Sequence, residues 1–135
     1  MADFPFQYAA KFLCTSNIPG TSQTTTSLLP GNYQTVVNIH NPNSTTVRFR
    51  MKLALASLQN PQISNFIDGS LKPDQAGKVD CDDVRSFGLQ LIHGFEGFLV
   101  IESTHSLDVV AVYTAGTKEG VTSMDVERVF ERYLT

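Results

Sequence analysis

Tryptophan is absent from the chain, and cysteine occurs only twice. The first absence removes the side chain with the broadest apolar face for stacking on a sugar ring. The second limits covalent chemistry: Cys14 and Cys81 are too few to build a metal site alone, and their spacing is not that of a C-x-x-C redox or zinc motif. They are left as either one disulfide or two buried thiols. A disulfide across so long a loop would stabilise the fold by roughly 4 kcal/mol on the chain-entropy model. Charge is also sparse, at 17% of residues against the usual quarter. Ten basic and thirteen acidic side chains leave a net charge of −3 with no basic stripe, so nucleic-acid binding through phosphate neutralisation is not expected. No apolar run approaches the roughly 20 residues of a membrane helix, so no membrane span is expected. The N-terminal MADFPFQYAAKFLC lacks the basic start and apolar core of a signal peptide.

Catalytic motifs are missing as well. There is no Gly-rich phosphate loop, no nucleophile elbow and no H-E-x-x-H, so no enzymatic activity, cofactor or metal is expected. The acidic group Asp80, Asp82 and Asp83 has oxygen ligands but not the loop pattern of a calcium site, and these residues read as helix-capping groups. Glu102 and Asp108 flank what reads as the last hairpin; a carboxylate pair facing across it would suit acid–base work, but exposed hairpin carboxylates are ordinarily plain surface. His93 and His105 lie beside turns with no nucleophile near in sequence. Asn43-Ser44-Thr45 matches the glycosylation pattern, which matters only in a secreted eukaryotic setting.

What the chain does have is period-2 alternation and turn residues between the alternating runs. Phe6 to Cys14 reads as a first strand and Tyr33 to Ile39 as a second. Val47 to Leu55 is the clearest strand, with Val47, Phe49, Met51, Leu53 and Leu55 on a core face. Its other face carries Arg48, Arg50 and Lys52, read as solvated, so that losing Arg48 or Arg50 is expected to cost little unless it sits in a subunit contact. Between the second and third strands stands Asn41-Pro42-Asn43-Ser44, with the residue types of a β-turn. His40 therefore reads as turn-flanking, not as a ligand. Residues 57–75 read as irregular with a short apolar insert. Gln75 to Cys81 is a strand, and Asp82 to Leu91 one short helix. Phe95–Ser103 and Leu107–Thr114 are strong strands joined by Thr104-His105-Ser106, and Val121–Phe130 is the last.

Seven or eight strands with almost no helix make a single antiparallel β-sandwich, Ig-like or jelly-roll-like, spanning 1–135 with one short helix near 82–91. The expected core is Phe12, Val37, Ile39, Phe49, Met51, Leu53, Leu99, Ile101, Val110, Val112 and Val126. Two features lie outside that frame: an aromatic N-terminal segment at 1–8 and a long polar connection at 15–32.

The order of TVVNIHNPNSTTVRFRMKL, SLKPDQAGKVDCDDV and FEGFLVIESTHSLDVVAVYTAG, over roughly 33–116, is similar to that of the small β-sandwich family of sensory rhodopsin transducers and related uncharacterised bacterial proteins. The resemblance implies a compact sandwich that self-associates and binds partners instead of turning over a substrate. The expected function is thus a self-associating structural or scaffold subunit of a homo-oligomer, with Phe4, Pro5 and Phe6 as candidate subunit contacts because aromatics concentrate where surfaces bury each other. Another protein or a glycan is a further candidate partner. The alternative is a carbohydrate- or small-ligand-binding module on the long loops, with Asn32, Tyr33 and His40 as candidates. Composition favours an extracellular or assembly-associated location over a cytoplasmic one.

Overall fold

A computed structural model of the chain describes residues 3–16, 28–89 and 94–134. Most of the 15–32 connection, together with Leu91 and His93, lies outside the described residues. The fold is all-β and sandwich-like. Among the described residues there are ten strands: β1 (Phe6–Ser16), β2 (Asn32–His40), β3 (Val47–Leu55), β4 (Gln62–Ile63), β5 (Ile67–Leu71), β6 (Ala76–Val79), β7 (Phe95–Ser103), β8 (Asp108–Thr117), β9 (Gly120–Arg128) and β10 (Glu131–Tyr133). The 3-10 helix Cys81–Phe87 stands between β6 and β7.

Every pairing is antiparallel, along the path β4-β3-β7-β1-β2-β8-β9, with β5 added to β3, β10 to β1 and β6 to β2. β1 joins the two layers. Its residues Phe6 to Cys14 pair with β7 in the first sheet, and Thr15 and Ser16 cross to pair with Tyr33 and Asn32 of β2 in the second. A strand shared by both sheets leaves the inner faces no choice but to face each other. The first sheet turns Tyr8, Ala10, Phe12, Val47, Phe49, Leu53, Phe95, Leu99 and Ile101 inward, and the second Val37, Ile39, Val79, Val109 and Ala111, all buried. Each large one contributes about 1.5–3 kcal/mol by leaving water. At Gly97 the sheet admits only glycine: a Cβ there would lie 2.0 Å from the carbonyl oxygen of Ala54 on the neighbouring strand.

Several expectations need correction. β7 and β8 are not a hairpin: they belong to different sheets, and Thr104-His105-Ser106 carries the chain from one layer to the other. The expected inward set of β8 is one residue out of step. Val109 and Ala111 are buried while Val110 and Val112 are only half-covered, because a run of valines offers no polar face to set the parity. Val126 is 57% exposed, because its register with Val112 and Val36 places it on the outer face of the second sheet. Residues 57–75 are not wholly irregular; they hold β4 and β5, which pair with the outer edge of β3. The helix ends at Gly88, whose left-handed backbone (φ 76°) stops it before Leu91.

Candidate functional site

β2 works as a ruler. It sets Asn32 and Tyr33 at one end and His40 at the other, about 25 Å away at the rise of a strand. The three candidate ligand residues therefore do not form one site.

At the His40 end, the turn is built around Asn41, which is fully buried. Its amide donates to the carbonyls of Thr45 and Leu71, both at 2.9 Å, and its oxygen accepts from the backbone N–H of Asn43. The Asn43 amide is in turn committed to Asn41 Oδ1 and to the carbonyl of Ser106. A glycan on Asn43 would have to break those bonds. The stretch is a turn, and its asparagines replace backbone partners that the turn cannot supply. His40 is more than turn-flanking, however. Its Nδ1 lies 2.8 Å from Asp108 and its Nε2 2.9 Å from Asp74, so one imidazole ties the start of β8 and the β5–β6 turn to the end of β2. Asp108 and then Asp74 raise its pKa, because only the doubly protonated ring donates to both carboxylates. These partners are 68 and 34 residues away in sequence, beyond the reach of any local pattern.

At the other end, Cys14 and Cys81 form a disulfide with Cα atoms 5.6 Å apart, joining β1 to the start of the helix. Asp80 caps that helix by accepting from Asp82 N–H, and Asp83 reaches back to the Asp80 N–H, a complete capping box. Asp80 also has its pKa lowered, first by the ammonium of Lys78 at 2.6 Å. The three aspartates are thus accounted for by the helix start. Between the disulfide, the ends of β1 and β2 and the helix lies an open cleft of about 500 Å³. Val84, Leu89 and Phe95 give it apolar walls; Asn32, Tyr33, Gln34 and Arg85 give it polar ones.

The N-terminal segment is engaged within its own domain. Phe6 stacks edge-on against Tyr133 at 5.4 Å, and the Pro5 carbonyl accepts from Leu134 N–H at 2.6 Å. The Arg50 guanidinium lies 4.7 Å from the ring of Phe4 and 4.1 Å from the ring of Phe66. Arg50 reaches from there to Glu102, with Nε at 3.0 Å and Nη2 at 2.8 Å from Oε1. Gln7 donates to the other oxygen of Glu102 at 2.9 Å. Glu102 is only 5% exposed, so the buried carboxylate of this half-buried ion pair depends on Arg50 and Gln7 for its partners. The expectation that Arg50 sits on a simply solvated face is wrong, and Glu102 and Asp108 serve separate networks instead of facing each other.

The surface that sequence reading missed is the outer face of the second sheet. Registered partners share a face, which places Val36, Val112 and Val126 in one row across β2, β8 and β9. Thr114 and Met124 form the next row, and Val110 stands beside Arg128. A bulge at Ala115/Gly116 leaves Thr122 unpaired and brings Val121 opposite Gly116, onto the same outward face. On β9 the usual pattern is inverted. Val121, Met124 and Val126 point outward and are 66%, 66% and 57% exposed. Asp125 and Glu127 pair with Tyr113 and Ala111 on the inner side. Burial first, then Glu127 and Asp125, raises the pKa of the Tyr113 phenol.

Among the described residues no group of three or more His, Cys, Asp or Glu side chains is placed to hold a metal ion, and no helix is long and apolar enough to cross a membrane. The His105 ring lies 3.0 Å from the hydroxyl of Thr104, and its carbonyl accepts from Ser103 Oγ at 2.6 Å. No family model matches the chain, and no curated protein does. The crystal structure of Thermotoga maritima 1070 is similar over 100% of both chains, with a TM-score of 0.62 at 10% sequence identity, a likeness of fold alone.

Proposed function

We propose that this protein is a non-enzymatic, self-associating β-sandwich subunit whose contact surface is the outer face of β2, β8 and β9. The observation that carries the reading is the inverted pattern of β9. A strand at the rim of a sandwich ordinarily shows its polar residues to water, whereas this one turns Val121, Met124 and Val126 outward, in line with Val36 and Val112. Inward-pointing carboxylates on an edge strand guard it against edge-to-edge pairing, and Asp125 and Glu127 stand in that position. The edge is closed to addition and the face is open, so association runs face to face.

Three strands about 5 Å apart over some 20 Å of length give an apolar centre of roughly 300 Å². That area needs a rim to approach the roughly 800 Å² per partner of a standard interface. Gln34, Asn38, Thr114 and Arg128 supply one with polar groups. A nearly uncharged apolar centre is complementary to itself, so a second copy related by a two-fold axis is the partner it fits. The resemblance to sensory rhodopsin transducers carries the same implication, and the Cys14–Cys81 disulfide favours an oxidising compartment, outside the cytoplasm. The test is Met124→Lys with Val126→Lys. Both positions are exposed in the single chain, so the double variant stays folded. It should lose the higher mass of the parent in sedimentation velocity, and an unchanged oligomer would refute the choice of face.

A further inference from the structure

We infer that the cleft beside the Cys14–Cys81 disulfide is a binding site for a small organic carboxylate with an apolar body. Size admits a small molecule, since about 500 Å³ falls within the roughly 300–1,000 Å³ typical of such sites. The lining decides its class. Arg85 is the one charged residue among the described residues that line the cleft, and no carboxylate shares the wall with it. Arg85 is itself exposed and makes no ion pair among the described residues. A guanidinium is a planar fork that matches a carboxylate with two parallel hydrogen bonds.

The rest of the wall sets what the carboxylate is attached to. Val84 and Phe95 are buried with their edges on the cleft, and Leu89 packs half-covered beside them. Such a floor favours an apolar group over a sugar, which would ask for polar partners on every side. The Tyr33 hydroxyl is already donated to the carbonyl of Leu29. The Asn32 and Gln34 amides border the opening and offer donors or acceptors to a polar substituent. This placement keeps Asn32 at the opening and Tyr33 in the wall, and leaves out His40, which lies at the far end of β2.

The site is independent of the outer face of the second sheet, so its test does not depend on oligomeric state. Phenylacetate is titrated into the oxidised 135-residue chain and followed by amide chemical shifts, with neutral phenylacetamide as the isosteric control. The expected result is saturable shifts at Val84, Arg85 and Leu89 with phenylacetate, and affinity weaker by about tenfold or more for phenylacetamide, the size of one charge-assisted contact. Arg85→Gln, an exposed substitution, should bring phenylacetate down to the affinity of the amide. Non-saturating shifts, equal affinity for the two probes, or full affinity in Arg85→Gln would each overturn the assignment.

Discussion

Arg50→Ala tests the energetics of the first sheet most sharply. In the folded chain the guanidinium makes two hydrogen bonds to Glu102 Oε1 and lies 4.7 Å from the ring of Phe4 and 4.1 Å from that of Phe66. Truncation leaves a carboxylate that is 5% exposed with only Gln7 beside it. Removing one partner of a buried pair costs about 3–5 kcal/mol. The Arg50 side chain is 36% exposed, so water can partly replace it, which brings the loss to the low end. Two ring contacts add about 0.5–1 kcal/mol each. The expected destabilisation is therefore about 4–5 kcal/mol, equivalent to a fall of roughly 15 °C in Tm for a chain of this length. Urea unfolding of the parent, Arg50→Ala, Glu102→Leu and the double variant measures it. The double variant should be more stable than the sum of the single losses predicts, because no charge is then left without its partner. A cost below about 1 kcal/mol for Arg50→Ala, or strict additivity in the cycle, would refute the reasoning.

Other expectations follow from the same structure. Blocking the disulfide with Cys14→Ser and Cys81→Ser should lower stability by about 4 kcal/mol in urea unfolding, and thiol titration of the denatured, unreduced parent should find no free thiol. His40 has a folded pKa raised above its unfolded value by Asp108 and Asp74, so its stabilisation is complete below the unfolded pKa and is lost as pH rises through the folded one. The stability gap between the parent and His40→Gln should accordingly widen on going from mildly alkaline to mildly acidic buffer, and a gap that does not change with pH would contradict the double contact. Phe49→Ala, at a core position 9% exposed, should cost about 3–5 kcal/mol.

The strands with one polar and one apolar face were legible in the sequence. β3 stands at the bounds its alternation indicates, Val47–Leu55, and the Asn41-Pro42 turn follows it backwards into β2. Where both faces are apolar, as at Val109 to Val112, alternation has no parity to read and the inward set slips by one. Short strands such as β4 and β10 are too brief to show a period, and exist because a neighbouring edge is there to pair with. The site features were less legible for a related reason. Arg50 looks like any solvated arginine until Phe4, Phe66 and Glu102 converge on it from three distant segments. His40 shows no carboxylate nearby in sequence, yet two flank its ring. The outward valines of β8 and β9 were visible as valines; which way they face depends on a register and a bulge that only the assembled sheet defines.

Sedimentation equilibrium of the oxidised parent chain over a wide concentration range tests the central claim most directly. Burial of the Val36, Val112 and Val126 row against a second copy predicts a mass that rises to a multiple of 14.9 kDa. A constant mass of 14.9 kDa at every concentration would contradict it.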